Sequence, residues 1–193
     1  MTPRNIRTRP ILARVDQVLQ PLGFVRRKGT WNRKADRFVD VIDLQVSKAG
    51  DAVTINAGVL EPIVHTRFWG TAPPLFVQEP SATVRARIGQ LRNGKDQWWP
   101  VNEKKTIAEV PEVVKAFALP FLEQMHGHAA MEEFLSQEIA MRPHPPETIY
   151  LAILKGVRGD TAGACAALRS LHQTAAGAWK DRITEVAERL GCG

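Results

Sequence analysis

The chain has 193 residues, of which 44% are hydrophobic and 24% are charged, as expected for one globular domain with or without an appendage. This composition argues against disorder, and no apolar run approaches the roughly 20 residues of a membrane helix. The basic N-terminus is not followed by an apolar signal segment. Because Cys165 and Cys192 show no metal-binding spacing, we expect free thiols in a reducing, cytoplasmic environment.

The net charge of +6 is unevenly distributed along the chain. Residues 1–37 contain ten Lys or Arg and two Asp or Glu, whereas residues 38–193 carry a net charge of −2. A basic region of this kind favours nucleic acid or another polyanion, although a solubilising face is the commoner cause. The basic residues nearest Trp31 that would serve nucleic-acid binding are Arg26, Arg27, Lys28, Arg33 and Lys34.

The first predicted element is a helix over residues 10–22, because its apolar residues recur at helical spacing. Pro10 would occupy its first turn, and Gly23 would be its C-cap. Residues 29–34 are predicted to form an edge strand that carries Trp31. Ala35 and Asp36 would then turn the chain back into a second strand.

Alternating apolar residues in 41–58 predict a β-hairpin, with its turn at Ser47–Ala52 around Gly50. A one-residue slip would move the apolar set of one arm into water, so the pairing of the two arms is predictable. The expected pairs are Leu44 with Ile55, Val46 with Val53, Gln45 with Thr54 and Asp43 with Asn56. One face of the hairpin is therefore predicted to be core, and the other a patch of uncharged and acidic hydrogen-bonding groups.

Two further segments follow before the helical region. Residues 61–80 contain four prolines and are predicted to form a long ordered loop, pinned to the core by Phe68, Trp69 and Phe76. Residues 83–91 alternate again and are predicted to form a strand. Its apolar face would carry Val84, Ala86 and Ile88, and its polar face Arg85 and Arg87. Because neighbours in an extended segment point to opposite sides, one of Trp98 and Trp99 should be core and the other partly exposed.

The remainder of the chain is predicted to be helical. Thr106 and Glu109 are spaced as a capping box, Pro120 should kink or restart the helix, and a break near Gly127 should precede a helix ending at residue 142. The proline-rich segment 143–146 is the best linker candidate. Three short helices are expected beyond it, over residues 147–157, 161–174 and 178–190. We thus expect an α+β domain over residues 1–125 and a helical-hairpin-like appendage over residues 126–193.

Several segments carry a resemblance to a known family in their order and spacing. They are L-Q-P-L-G-F at 19–24, the strand at Trp31, V-I-D-L-Q-V-S-K at 41–48, V-T-I-N-A-G-V at 53–59, R-A-R-I-G-Q-L at 85–91 and W-W at 98–99. Together they resemble the bacterial domain-of-unknown-function 4304 family over roughly residues 9–123. The resemblance implies a small α+β domain. The family has no established activity, so the resemblance implies no catalytic residue.

The residues themselves show no recognisable catalytic or metal-binding set. His126 and His128 form the only close histidine pair, but residues two apart on a helix do not face each other, and no acidic or cysteine partner completes a set. Nucleophile motifs and phosphate-binding loops are also absent. We therefore expect no metal and no cofactor. A small-molecule enzyme of unknown chemistry stays open as a second alternative, with Asp43 beside Asn56 as its candidate.

The polar face of the predicted sheet is the candidate binding surface. Arginines beside amides and hydroxyls could hold a carboxylate, a phosphate or a peptide backbone, whereas a water-facing surface is the default for an antiparallel sheet. The candidate residues are Asp43, Gln45, Thr54, Asn56, Arg85, Arg87, Trp98 and Trp99. The leading prediction is a non-enzymatic binding or interaction module for an unknown protein or small molecule, without membrane association. Nucleic-acid binding through the basic region is the alternative, and the oligomeric state stays open.

Overall fold

The computed structural model of the chain describes residues 3–192, with side chains from residue 8 onward. The fold is α+β, and its C-terminal part is helical. The strands are β1 (Val25–Arg27), β2 (Thr30–Ala35), β3 (Phe38–Val46), β4 (Ala52–Leu60), β5 (Val84–Arg87) and β6 (Trp99–Pro100). The helices are α1 (Pro3–Leu19), α2 (Pro62–Trp69), α3 (Ile88–Asn93), α4 (Lys104–Val113), α5 (Leu119–Gln124), α6 (His128–Met141), α7 (Pro145–Val157), α8 (Thr161–Thr174) and α9 (Ala178–Leu190).

The strands described in residues 3–192 form one antiparallel sheet in the order β1-β2-β3-β4-β5, with β6 also paired to β4. The predicted hairpin is confirmed in every pair: Asp43 faces Asn56, Leu44 faces Ile55, Gln45 faces Thr54 and Val46 faces Val53. Its turn is closed by Ser47, whose Oγ accepts the backbone N–H groups of Gly50, Asp51 and Ala52. The turn and the apolar alternation thus determine the same register.

One face of the sheet is the core that the alternation predicts. Its apolar residues are fully or almost fully buried together with residues of α1, α4 and α5, among them Ile11, Leu19, Trp31, Ile42, Ile55, Trp99, Val110 and Leu122. The indole of Trp31 also donates a hydrogen bond from Nε1 to Oδ1 of Asp16, 2.8 Å away. Buried Trp N–H groups usually need such a partner, so Asp16 helps to hold α1 on the sheet.

Two N-terminal predictions require correction. The first helix begins at Pro3 rather than at residue 10, so Pro10 lies in its interior; a 17-residue helix can accommodate the one missing backbone hydrogen bond. The helix ends at Leu19, a 3₁₀ turn follows, and Gly23 is the left-handed C-cap with φ 85°. The strand carrying Trp31 is not an edge strand, because β1 pairs with its outer side.

The proline-rich segment 61–80 is not a loop throughout, because α2 occupies its first half. Glu61 is the N-cap, and its carboxylate accepts the backbone N–H of Ile63 at 2.6 Å. Pro62 takes the first helical position, where its missing N–H costs nothing, and Gly70 ends the helix with φ 75°. Proline here starts a helix instead of preventing one.

Two other boundaries differ from the predicted ones. The strand predicted over residues 83–91 ends at Arg87, where Gln90 folds back to accept the Arg87 backbone N–H and α3 begins. The prediction of a capping box at Thr106 is wrong, because α4 already begins at Lys104 and the Thr106 hydroxyl donates to the carbonyl of Pro100 instead. The restart predicted at Pro120 is present, because a π-helical turn over Val114–Ala118 connects α4 to α5.

The C-terminal helices closely match the predicted ones, and the break at Gly127 separates α5 from α6. The prediction of free thiols is wrong, because Cys165 of α8 and Cys192 form a disulfide. The antiparallel packing of α8 and α9 brings residues 27 apart in sequence to a Cα–Cα distance of 5.5 Å, a normal disulfide spacing. The argument for a reducing compartment falls with the thiols.

Two further observations concern the division into domains and the possibility of a membrane-spanning helix. Apolar residues of α7 and α9, such as Ile153 and Ile183, belong to the same buried cluster as the sheet core. The division into residues 1–125 and 126–193 stays a prediction. Within the described residues, no helix combines the length and apolar character needed to cross a membrane.

Candidate functional site

A cavity of about 1110 Å³ lies between the polar face of the sheet and the C-terminal helices, and we call it the cleft. Two other cavities have volumes of about 360 and 380 Å³, so the cleft is roughly three times larger than either. Its floor comes from β3, β4 and β5, and its walls come from α2, the segment 78–83, α6, α7 and Trp179 of α9. The polar face predicted from alternation therefore lines a partly open cleft.

The register of the sheet builds the floor of the cleft. Asp43, Asn56 and Arg87 are direct lateral neighbours on β3, β4 and β5. The Asn56 amide donates from Nδ2 to Oε1 of Gln45 at 3.0 Å and accepts at Oδ1 from Nε of Arg87 at 3.3 Å. Arg87 in turn donates from Nη1 to both carboxylate oxygens of Asp96, at 2.9 and 3.0 Å. The floor is thus a connected hydrogen-bond network with fixed orientations.

Asp43 differs from the other charged groups of the floor. Thr30 donates a 2.7 Å hydrogen bond to its Oδ1, but no Lys, Arg or His among residues 8–192 lies within ion-pairing distance of it. Burial raises the pKa of the Asp43 carboxyl above its usual value, against the opposing hydrogen bonds from Thr30 and Asn56. Asp43 is therefore a partly buried carboxyl that has no counter-ion among residues 8–192.

A second carboxyl in the cleft has a raised pKa. Burial raises the pKa of Glu79 and the nearby charge of Asp43 adds to the shift, while Arg85, 3.7 Å away, opposes it. Two interacting carboxyls with raised pKa values therefore line the same cleft. Perturbed groups of this kind concentrate at functional sites.

Part of the wall of the cleft, from α2 and α7, is aromatic. Phe68 of α2 packs edge-to-face on Tyr150 of α7 with ring centroids 5.0 Å apart, and on Trp69 at 4.9 Å. The Arg182 guanidinium lies 4.7 Å from the centroid of the Trp69 ring, and Trp69 keeps 46% of its surface exposed. Burial raises the pKa of Tyr150 to about 12, so its hydroxyl stays protonated at neutral pH. The cleft joins this aromatic surface to a polar one.

The charged residues lining the cleft are mostly acidic. Its carboxylates are Asp43, Glu79, Asp96, Glu138 and Glu147, and its guanidiniums are Arg85, Arg87 and Arg142. With His144 neutral, the lining carries a charge of −2, whereas the whole chain carries +6. The cleft thus has the opposite sign to the protein around it.

Five of the eight candidate binding residues line the cleft: Asp43, Gln45, Asn56, Arg85 and Arg87. Thr54 does not line it; its side chain is fully buried, and its hydroxyl has no hydrogen-bond partner among residues 8–192. Trp98 borders the floor from outside, since its Nε1 donates to Asp96 at 3.0 Å and the Arg87 guanidinium lies 5.4 Å from its ring. Trp99 is 4% exposed and belongs to the core, so the two indoles have the different environments that were predicted.

Some of the basic residues proposed to bind nucleic acid already contact other side chains of the protein. Arg33 pairs with Asp40 and Glu123, and Arg26 pairs with Asp16 at 3.0 Å. Arg27 stacks on the ring of Phe76, whereas Lys28 and Lys34 are exposed. Two of the five cations therefore already have carboxylate partners.

His126 and His128, the close histidine pair of the sequence, each have an acidic partner that sequence reasoning missed. His126 Nε2 lies 2.7 Å from Oδ1 of Asp40, and His128 Nε2 lies 3.1 Å from Oε1 of Glu61. The ring of Phe38 packs between them, stacked on His126 at 5.3 Å and edge-on to His128 at 6.5 Å. The available signal was the alternation itself, because Asp40 falls on the core face of β3 and buried carboxylates need partners.

These histidine pairs hold the start of α6 against the sheet rather than building a metal centre. Within the part of the chain that the structure describes, no three His, Cys, Asp or Glu residues are grouped to hold a metal ion. Asp40 is fully buried and Glu61 is 2% exposed. The pairs therefore fix where the helices that wall the cleft begin.

Fold and site together define a small α+β protein whose antiparallel sheet presents a polar face to a cleft. A family model described as Domain of unknown function (DUF4304) matches residues 15–124, more than half of the chain, and the chain belongs to this family. No curated protein and no solved structure matches the chain. The matched segment contains the sheet floor of the cleft, whereas the walls from α6, α7 and α9 lie outside it.

Proposed function

We propose that the protein is a non-enzymatic binding module whose ligand occupies the cleft. One observation carries the proposal: the polar face of β3, β4 and β5 forms the floor of a cavity of about 1110 Å³. An antiparallel sheet usually exposes such a face to water. Ligand sites typically have volumes of about 300–1,000 Å³, so the cleft can hold a ligand of at least drug size.

The order of the floor supports the same function. Asn56 is only 6% exposed and is held by Gln45 and Arg87 on either side. Polar groups that are already oriented lose little freedom when a ligand binds, which improves affinity. Such a floor can recognise hydrogen-bonding groups on a ligand without rearranging the sheet.

The test is an NMR screen of a fragment mixture against ¹⁵N-labelled protein. Backbone shifts should cluster on the residues of the cleft in the wild type, and should disappear in Asn56→Ala and Gln45→Ala while both variants stay folded. Gln137→Ala is the matched control, because it removes the same amide from the exposed side of α6, a helix that walls the cleft. Shifts outside the cleft, or shifts unchanged in both cleft variants, would contradict the proposal.

An enzyme is the second candidate, because Asp43 and Glu79 both have raised pKa values in one cleft. Two carboxyls of this kind are an arrangement used for general acid–base chemistry. A fragment that binds in the cleft should be recovered unchanged by mass spectrometry if the protein is a binding module. Conversion by the wild type but not by a binding-competent Asp43→Asn variant would favour the enzyme.

A further inference from the structure

We propose that the cleft takes a small ligand bearing a positive charge on an aromatic body, such as an arylalkylamine, with Asp43 as the counter-ion. This inference rests on the proposed function of the cleft as a binding site. It names the class of ligand, which the fold and the family leave open. Three features of the cleft lead to it: its charge pairing, its aromatic wall and its net charge.

The first feature is the pairing of charges on the floor. Arg87 is bound by both carboxylate oxygens of Asp96, and Arg85 lies 3.7 Å from Glu79. Asp43 has no such cation within residues 8–192. An ionised carboxylate removed from water is costly unless it is paired. A bound ammonium or guanidinium would supply the missing partner.

The second feature is the aromatic part of the wall of the same cleft. Phe68 is 2% exposed and packs edge-to-face on both Trp69 and Tyr150, so these two rings supply the accessible aromatic surface. The Arg182 guanidinium, 4.7 Å from the Trp69 ring centroid, already supplies a cation to this ring, so the charge of the ligand belongs at Asp43 and not at the wall. The exposed part of Trp69 can contact the apolar body of a ligand. The wall therefore suits an aromatic group attached to a cation.

The third feature argues against an anion. From the sequence alone, Arg85 and Arg87 suggested that the polar face could hold a carboxylate, a phosphate or a peptide backbone. In the structure, an anion that bound Arg87 would have to displace Asp96, and it would enter a lining with a charge of −2. Like charges brought together in a partly desolvated site repel each other strongly. The geometry thus reverses the preference that the two arginines suggest.

The experiment compares three probes that share an indole and differ in charge: tryptamine, tryptophol and indole-3-propionate. Isothermal titration calorimetry at pH 7 should show tryptamine binding at least about tenfold more tightly than tryptophol, as expected for a charge-assisted contact. Indole-3-propionate should bind most weakly. Asp43→Asn should reduce the affinity for tryptamine to that for tryptophol and leave tryptophol binding unchanged.

Glu133→Gln is the matched control, because it removes one negative charge from the exposed side of α6. It should leave all three affinities unchanged, and thermal melts should show that both variants are folded. Equal binding of tryptamine and tryptophol, lost in Asn56→Ala, would overturn the charge selectivity while leaving the cleft as a binding site. Preference for indole-3-propionate, or binding of none of the probes, would also overturn this inference. The fragment screen then decides independently whether the cleft binds ligands.

Discussion

Replacing Asp40 by Ala should destabilise the protein far more than its position near a strand end suggests. Its side chain is fully buried, and Oδ2 accepts a hydrogen bond from Nε of Arg33 at 2.8 Å and lies 2.7 Å from Nη2 of the same guanidinium. Oδ1 lies 2.7 Å from Nε2 of His126. One carboxylate therefore connects β2 and β3 to the residues that precede α6.

The magnitude follows from the burial of this ion pair. Removing one partner of a buried pair costs about 3–5 kcal/mol, because the other charge stays behind without compensation. Arg33 would keep its 2.6 Å contact with Glu123 and the Phe24 ring 4.8 Å away, so we expect a loss near the lower limit, about 3 kcal/mol. For a protein of this size, that corresponds to a decrease in Tm of roughly 6–12 °C.

Glu123→Ala provides a control on the same guanidinium. Although burial opposes ionisation, the hydrogen bonds and charges of Glu123 and Asp40 outweigh it and raise the pKa of Arg33. The side chain of Glu123 is 60% exposed, and exposed ion pairs contribute under about 1 kcal/mol. Urea unfolding of both variants at pH 7, followed by circular dichroism, measures the difference. Equal losses in the two variants, or a loss under about 1 kcal/mol for Asp40→Ala, would refute the reasoning.

Three other predictions concern the cleft, the tryptophans and the disulfide. Burial raises the pKa of Asp43 above 3.8 in the folded protein, so ionising this carboxyl lowers the free energy of unfolding as the pH rises from 3.8 through the raised pKa. Asp43→Asn should therefore be at least as stable as the wild type in thermal melts at pH 7. A lower Tm for the variant would contradict this. The fluorescence of each indole is obtained as the difference between the wild type and the Trp98→Phe or Trp99→Phe variant. Acrylamide should quench the contribution of Trp98 more strongly than that of Trp99, and equal quenching would count against their different environments. Replacing Cys165 and Cys192 by Ala should cost about 3.5 kcal/mol in urea unfolding, since a disulfide closing 27 residues restricts the unfolded chain by about that amount. A loss under about 1 kcal/mol would show that the unfolded chain is not restricted in this way.

Local patterns in the sequence were sufficient where one physical requirement decided the outcome. The pairing of Leu44 with Ile55 was predictable because any slip would expose an apolar face to water. The same alternation placed Asp43, Asn56 and Arg87 on one face. Proline was harder to interpret, because Pro62 is compatible with a loop or with the first turn of a helix, and the Glu61 cap decides for the helix.

The sequence by itself determined the register of the β3–β4 hairpin, the identity of its two faces and the positions of α7, α8 and α9. Only the tertiary structure decided what covers the polar face, because alternation shows which residues share a face but not which distant helices pack over it. The pairing of His126 with Asp40, 86 residues away, and the bridge between Cys165 and Cys192 depend on the same long-range packing. The cleft exists because helices outside the family segment enclose a surface that a sheet alone would leave in water.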